Sequence, residues 1–227
     1  MRISTKGTDE IPFVENRGVI LDTDFYARAT LVVARELLGK VLEHRTPDGV
    51  TSGRIVEVEA YIGEDDPACH AAPGPTARNA PLYGPPGFAY VYLNYGLHYL
   101  VNAVTEPAGS PAAVLIRALE PLEGVDLMRA RRGATRWRQG KGAPADEALC
   151  RGPGNLTVAL GITAAENALP LTRPPLVIRD DGQAVADVQW SSRIGIRVGT
   201  ERLWRCAVVG NPAVSGPRAV SPADVAG

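Results

Sequence analysis

Alternating hydrophobic and polar positions in the first third of the chain predict two β-strands joined by a tight turn. Residues 40–45 and 51–61 have the strand-like pattern, and residues 46–49 between them read Thr-Pro-Asp-Gly, which is typical of a turn. The second strand contains Glu57 and Glu59, which share a face because side chains two apart do so in any strand. On pattern alone this pair indicates a solvated face. The alternative is that one carboxylate is held in a cleft as a base.

The same pattern predicts the remaining elements. A helix is expected over residues 26–38, capped by Thr23 or Asp24 and ended by Gly39. Further elements are expected as strands over residues 89–93, 97–104, 112–118, 176–179, 193–198 and 204–209, and as helices over residues 122–132 and up to Leu160. We see no internal repeat and no linker that would divide the chain.

A tight hairpin turn is predicted at residues 94–96, which read Asn-Tyr-Gly between two strand-like runs. This turn places Tyr95 at the tip. An aromatic ring at an exposed hairpin tip rarely packs into the hydrophobic core, so its presence there indicates contact with a binding partner. The alternative is that Tyr95 packs back on its own sheet.

One arginine interrupts an otherwise apolar strand. Arg117 lies within residues 112–118, and a buried guanidinium needs a carboxylate or phosphate partner. The candidate partners are the carboxylates of Glu57, Glu59 and Glu120.

A long segment rich in glycine, proline and alanine precedes the hairpin. It covers residues 62–88 and carries His70, Arg78 and Asn79. Long loops in compact domains are often functional, although a lone histidine is more often structural than catalytic.

Two other features could face an anion. Arginines 129, 131, 132, 136 and 138 surround Trp137, and this basic cluster is either solvated surface or a patch that faces phosphates. Residues 151–155 read Arg-Gly-Pro-Gly-Asn before a predicted helix, where free backbone amides offer a weak signal for an anion contact.

Composition narrows the class of protein. The chain has 227 residues, 45% hydrophobic and 22% charged, with a net charge of -1, as expected for a globular protein that has no overall attraction to nucleic acid. A local basic face remains compatible with that charge. Three isolated cysteines without a CxxC pair argue against a zinc site and a disulfide framework. We expect no metal, no cofactor, no membrane span and a cytoplasmic location.

The sequence also lacks the motifs of several enzyme classes. The three histidines have no metal-ligand spacing, and no G-x-S-x-G elbow or phosphate-binding loop occurs. What remains is a carboxylate close to a dense set of tyrosines. Aromatic walls stack on flat rings such as nucleobases, and a carboxylate beside the sugar carbon of a nucleotide can polarise water for glycosidic hydrolysis.

At this point the chain resembles the alkyladenine (3-methyladenine, or N-methylpurine) DNA glycosylase family over roughly residues 21–211. The resemblance is carried by ordered motifs along the chain. These motifs are Phe25-Tyr26, residues 37–39 (LLG), 56–61 (VEVEAY), His70, 76–79 (TARN), 90–96 (YVYLNYG), Asn102, 115–124 (LIRALEPLEG), 151–156 (RGPGNL) and 193–196 (RIGI).

The resemblance implies a role for each matching residue. Glu59 would be the general base that activates water, and Arg117 would hold that water and the carboxylate. Tyr61 and His70 would line one side of a flipped base and Tyr92 would stack on the other. The remaining implied roles are Asn102 and Ile196 as further pocket residues, Tyr95 as the wedge in the DNA minor groove, and Leu97, His98, Arg78 and Arg193 as DNA contacts.

The resemblance further implies a monofunctional DNA glycosylase that leaves an abasic site. The expected partner is double-stranded DNA containing damaged purines (3-methyladenine, 7-methylguanine, hypoxanthine or ethenoadenine), bound by a monomer. Alternatives are a non-catalytic binder of damaged DNA or modified purines, and a small-molecule nucleoside hydrolase. Two positions depart from the family pattern: Asn155 stands where a basic residue is general, and Asn94 stands where an aliphatic residue is frequent.

For the fold we expect the α+β class. The expectation is a single mixed domain over residues 17–213, with a curved, largely antiparallel β-sheet core, flanking helices and a protruding β-hairpin. Residues 1–16 are predicted to form a flexible arm and residues 214–227 a disordered tail.

Overall fold

An antiparallel sheet of nine strands organises the part of the chain that the structure describes. The antiparallel arrangement was predicted, whereas the strands Val19–Ile20 and Val188–Ser191 were not. The structure is a computed structural model, and it describes residues 18–135, 144–185 and 187–216. The strands are β1 (Val19–Ile20), β2 (Val41–Thr46), β3 (Gly49–Ile62), β4 (Ala89–Asn94), β5 (His98–Val104), β6 (Ala112–Glu123), β7 (Leu176–Asp180), β8 (Val188–Ser191) and β9 (Arg205–Val208). The helices are α1 (Thr23–Tyr26), α2 (Thr30–Leu37), α3 (Val125–Gly133), α4 (Asp146–Leu149) and α5 (Pro153–Leu160).

The long strand β3 lies at the centre. The main path through the sheet is β1-β7-β2-β3-β6-β5-β4, and β8 and β9 join it through β3. The first part of β3 pairs with β2, whereas Glu57, Val58 and Glu59 pair with β9 on the same side and with β6 on the other. The segment with the two glutamates is therefore enclosed by neighbours on both edges.

Both faces of the sheet are covered. Val58 and Ala60 belong to the main hydrophobic core, to which α2 and α5 contribute. Glu57 and Glu59 point to the opposite face, and both are completely buried. The solvated face expected from the alternation of β3 is wrong, because loops and the segment after β9 cover that second face.

The helices near the start of the chain differ from the prediction. Instead of one helix over residues 26–38 there are two, α1 and α2, and the side chain of Asp22, rather than Thr23 or Asp24, caps α1 by accepting from the Phe25 amide. Helix α2 starts without a local side-chain cap. The distant Glu106 takes that role, because its carboxylate accepts from the Thr30 amide at 3.2 Å.

Two other predictions differ from the structure. Strand β6 extends to Glu123, so the helix predicted from residue 122 begins at Val125. Residues 193–198 are not a strand: Gly195 within them has a φ value of +79°, which an extended strand does not allow. The expected arm over residues 1–16 lies outside the described residues.

The predicted tail begins too early. Val214 and Ser215 are buried in the fold, at 3% and 7% exposed, so residue 214 does not start a disordered segment. Residues 217–227 lie outside the described ranges.

Within the described ranges, no helix has the length and apolar character needed to cross a membrane.

Candidate active site

Glu59 is held by two hydrogen bonds and one ion pair, which come from three parts of the chain. The Ile194 amide donates to its Oε1 at 2.7 Å, the Tyr61 hydroxyl donates to its Oε2 at 2.9 Å, and Nη1 of Arg117 lies 3.2 Å from Oε2. Burial, followed by the charge of Glu59, raises the pKa of Tyr61, so this phenol stays protonated as a donor. A carboxylate has about four acceptor positions, which leaves one on Oε1 for a further hydrogen bond.

Arg117 lies where the pairing of β3 with β6 is irregular. The register between these strands skips Val56 on one strand and Arg117 on the other. Such bulges redirect side chains near functional sites. Burial alone would lower the pKa of Arg117, but the charges of Glu59 and Glu57 outweigh burial and raise it. Two of the predicted carboxylate partners are thus confirmed, whereas the exposed Glu120 instead accepts from Asn211.

An aromatic cavity of about 240 Å³ opens beside the three groups that hold Glu59. Tyr61, Arg117 and Ile194 lie in its wall, and Glu59 itself sits directly behind them. The wall brings together the predicted base-binding residues Tyr61, His70, Tyr92, Asn102 and Ile196. The side-chain amide of Asn102 donates to the Tyr90 carbonyl at 2.9 Å, which fixes its orientation.

The rings of His70 and Tyr92 touch each other. Their centroids are 4.4 Å apart, so they do not form opposite walls of an open slot as expected, because a base between two rings needs about 7 Å. Nδ1 of His70 is 2.8 Å from the Tyr90 hydroxyl. Burial, and then the charge of Arg78, lower the pKa of His70 and favour its neutral form.

Asn79 shapes the loop that carries His70. Its side-chain amide donates to the carbonyls of His70 at 2.7 Å and Gly74 at 2.9 Å, and its oxygen accepts from the Thr76 amide at 2.6 Å. The part of the loop from His70 to Asn79 is therefore fixed by this buried polar side chain.

The hairpin tip stands at the rim of the cavity. Tyr95 is 87% exposed, which excludes packing back on its own sheet. Leu97, at 49% exposed, belongs to the same hairpin, and the exposed Arg78 donates to the Leu93 carbonyl on β4 at 3.3 Å. His98 packs against Gly154 at the start of α5, since a Cβ at that glycine would lie 2.8 Å from the histidine ring.

Arg193 does not have the role expected of it. Its guanidinium is buried and forms a two-pronged ion pair with Asp66, at 2.5 and 2.7 Å, so the side chain cannot reach DNA. It also stacks on the rings of Tyr61 and Trp204 at 4.5 and 5.2 Å. Arg193 thus supports the cavity wall from behind and places the following amide, that of Ile194, against Glu59.

The basic cluster is largely neutralised where the structure describes it. Arg129 is paired with Asp126 and Asp146, Arg131 with Asp48, and Arg132 is buried. These three side chains do not form a free phosphate-facing patch. Residues 136–138, the rest of the cluster, lie outside the described residues.

The predicted helix start at residues 151–155 is confirmed, and the Asn155 side chain donates there to the Arg151 carbonyl at 2.6 Å.

Sequence reasoning missed several supports of this site. The Ile194 amide, Arg205 and Ser215 all contact one of the two glutamates, from which they lie more than 130 residues away along the chain. One signal was available: two glutamates on one face opposite a single arginine imply a second cation, and Arg205 supplies it.

The fold and site define a class of protein. A buried, hydrogen-bonded carboxylate behind an aromatic cavity, with an exposed aromatic ring at the rim, suits binding of a flat base that is drawn out of a larger polymer. Within the described part of the chain, no group of histidine, cysteine and acidic side chains could hold a metal ion.

Comparison with known proteins identifies the family. The family described as Methylpurine-DNA glycosylase (MPG) matches residues 24–212, and the chain belongs to it. Relatives named "Putative 3-methyladenine DNA glycosylase" include one from Burkholderia lata, 48% identical over 204 residues, covering 88% of this chain and 93% of the relative. Others are from Chlorobium phaeobacteroides, 45% identical with 88% and 96% covered, and from Methanocella arvoryzae, 45% identical with 86% and 96% covered.

Proposed function

We propose that this protein is a monofunctional DNA glycosylase that flips alkylated or deaminated purines out of duplex DNA. It hydrolyses the N-glycosidic bond and leaves an abasic site. The observation that carries the proposal is the setting of Glu59, a buried carboxylate with one free acceptor position directly behind an aromatic cavity. Family membership and the names of the relatives support the same activity.

In this proposal Glu59 activates water. The Ile194 amide takes one acceptor position on Oε1, while the Tyr61 hydroxyl and the Arg117 ion pair engage Oε2, so the remaining position on Oε1 receives the proton of a water molecule. The water attacks the sugar carbon of a flipped nucleotide as the bond to the base breaks. The buried Arg117 holds the carboxylate in place through their ion pair, and the electron pair of the broken bond leaves with the base.

The aromatic residues offset the energy of flipping. Extruding a nucleotide costs a few kcal/mol, least for a damaged and weakly paired base. Stacking on an aromatic side chain returns roughly 1–3 kcal/mol per base. Tyr92 supplies this stacking in the cavity after its ring separates from that of His70, and Tyr95 fills the gap left in the duplex. Alkylated purines carry positive charge, so they stack well on tyrosine and leave readily.

The proposed product is an uncut abasic site. Cleavage of the strand by a glycosylase needs an amine that forms a Schiff base with the sugar. The lysine within the described residues is Lys40, which is bound to Asp180 at 2.5 Å on the β2–β7 side of the sheet. We further propose that the protein binds damaged duplex DNA as a monomer.

The test is a panel of duplex oligonucleotides, each with one 3-methyladenine, 7-methylguanine, hypoxanthine or ethenoadenine. We expect release of free base, and strand breaks that form only after alkali treatment. Breaks without alkali would contradict the monofunctional mechanism. Tight duplex binding with no base release indicates a non-catalytic binder, and release from free nucleosides alone indicates a nucleoside hydrolase.

A further inference from the structure

The segment after β9 returns to the face of the sheet that carries the glutamates. Ala213 and Val214 are buried there in a small hydrophobic cluster whose other members are Val56, Ala118 and Ala207. Arg151 donates to the Pro212 carbonyl at the start of the segment. Residues 213–216, which we name the C-terminal brace, are thus anchored to β3, β6 and β9.

Ser215 is joined to the buried charges by three hydrogen bonds. Its amide donates to Oε2 of Glu57 at 2.7 Å, and its carbonyl accepts from Nη2 of Arg205 at 2.8 Å. Its hydroxyl accepts from Nη2 of Arg117 at 3.3 Å. Both main-chain polar groups of this residue and its side chain therefore serve the charged cluster.

Glu57 links the brace to Arg117. Its Oε1 accepts from Nε of Arg117 at 3.0 Å and from Nε of Arg205 at 2.7 Å, and the carboxylate is completely buried. Because Nη1 of Arg117 forms an ion pair with Oε2 of Glu59 at 3.2 Å, each of the three nitrogens of the guanidinium contacts a different residue. A guanidinium held at three points cannot turn away from Glu59 without breaking buried hydrogen bonds.

Gly216 reaches the other support of Glu59. Its φ is +69°, and a Cβ built on it would lie 2.5 Å from Cδ1 of Ile194. Ile194 is the residue whose amide donates to Oε1 of Glu59. The brace therefore touches, at consecutive residues, both Arg117 and Ile194.

We infer that residues 213–216 and Glu57 are positioning elements of the catalytic centre, which lock Arg117 and Ile194 around Glu59. The inference rests on the proposed function for its catalytic meaning, and on the geometry for the positioning itself. A misplacement of about 1 Å in such a constellation can cost about 10²-fold in rate. The brace thus acts on the chemical step and leaves the outer, DNA-binding rim unchanged.

Two glycines provide a matched test. Gly216→Ala adds a methyl group against Ile194, whereas Gly210→Ala imposes a similar backbone strain, at φ +72°, with nothing within 4 Å of its Cβ. We expect Gly216→Ala to lower the single-turnover excision rate by about tenfold or more, at unchanged affinity for duplex with an abasic-site analogue. Gly210→Ala should excise at the wild-type rate.

A second readout is independent of activity. Hydrogen exchange of the Ile194 amide, followed by NMR, reports its bond to Glu59, and Gly216→Ala should accelerate it while Gly210→Ala does not. If Gly216→Ala keeps both the excision rate and the slow exchange, the inference is overturned even though excision by the wild type upholds the proposed function. If the wild type excises nothing but exchange still responds to Gly216→Ala, the proposed function fails while positioning by the brace stands.

Two point variants test the charged groups that connect residues 213–216 to Arg117. Glu57→Gln removes a charge at nearly constant shape, and Ser215→Ala removes only the hydroxyl contact with Arg117. Each should lower the excision rate while duplex affinity stays constant, with the larger loss for Glu57→Gln. A loss of affinity in proportion to the loss of rate, with an unchanged Ile194 exchange, would show a general structural defect and contradict positioning.

Discussion

At the tip of the β4–β5 hairpin, Tyr95 strains the backbone but supplies the proposed wedge for DNA. The substitution Tyr95→Asn allows its effects on stability and on DNA binding to be measured separately. Tyr95 and Gly96 have φ values of +50° and +69°, and the Leu97 amide donates to the Asn94 carbonyl at 2.9 Å, as in a type I′ turn. A left-handed conformation costs a residue such as tyrosine about 1–2 kcal/mol, whereas asparagine tolerates it and Asn-Gly is a favoured pair for this turn. Since Tyr95 is 87% exposed, its removal loses little packing.

The magnitude follows from these terms. Recovering about 1 kcal/mol of backbone strain should raise Tm by roughly 2–4 °C in a protein of this size. Loss of the wedge should remove roughly 1–3 kcal/mol of stacking, which weakens binding of a lesion-containing duplex by about 5- to 150-fold. The substitution should therefore make the protein more stable and a poorer binder.

Thermal denaturation and fluorescence anisotropy with a labelled hypoxanthine duplex measure the two effects. Tyr95→Phe is the matched control, because it keeps the ring and the backbone conformation and should change neither value. Unchanged duplex affinity in Tyr95→Asn would refute the role of Tyr95 as a wedge. A lowered Tm would refute the argument from backbone strain.

Three further predictions concern the supports of the site. Asp66→Asn leaves the buried Arg193 guanidinium without its carboxylate and should destabilise the fold by about 3–5 kcal/mol in urea denaturation, whereas Glu201→Gln, in an exposed pair, should change stability by less than about 1 kcal/mol. Glu106→Ala removes the cap of α2 and should cost about 1–2 kcal/mol in the same assay, without affecting duplex binding. Burial and the charge of Arg78 lower the pKa of His70 below 6.5, so the unfolded chain binds the proton before the folded protein does, and stability falls as pH drops below about 6.5. His70→Asn should therefore have a smaller difference between its urea midpoints at roughly pH 7 and roughly pH 5 than the wild type has. An equal difference in the two proteins would contradict this.

The local pattern of apolar and polar residues was sufficient to predict most of the helices and strands, and to predict that Glu57 and Glu59 share a face of β3. The alternation at Glu57 and Glu59 correctly gives them a common direction. The alternation cannot predict that both glutamates are buried, because the groups that cover this face come from residues 62–88 and from the segment after Arg193. An apolar strand that contained Arg117 did indicate a carboxylate partner, and two of three candidates were correct.

The failures have a common physical cause in long-range contacts. Residues 193–198 alternate apolar and polar side chains as a strand does, yet left-handed glycines and the pairing of Arg193 with Asp66 decide their conformation. The predicted tail, residues 214–227, has a composition typical of disorder, but Ser215 is fixed by partners at positions 57, 117 and 205. No local signal specifies such partners.

The most direct test of the account is the single-turnover excision rate of Glu59→Gln on a duplex with one lesion that the wild type removes. Loss of a general base typically lowers a rate by about 10²–10⁴-fold, and we expect a loss of that size with duplex affinity unchanged. Glu120→Gln, which alters an exposed carboxylate on β6, should retain the full rate. Excision by Glu59→Gln at a rate close to that of the wild type would contradict the central claim.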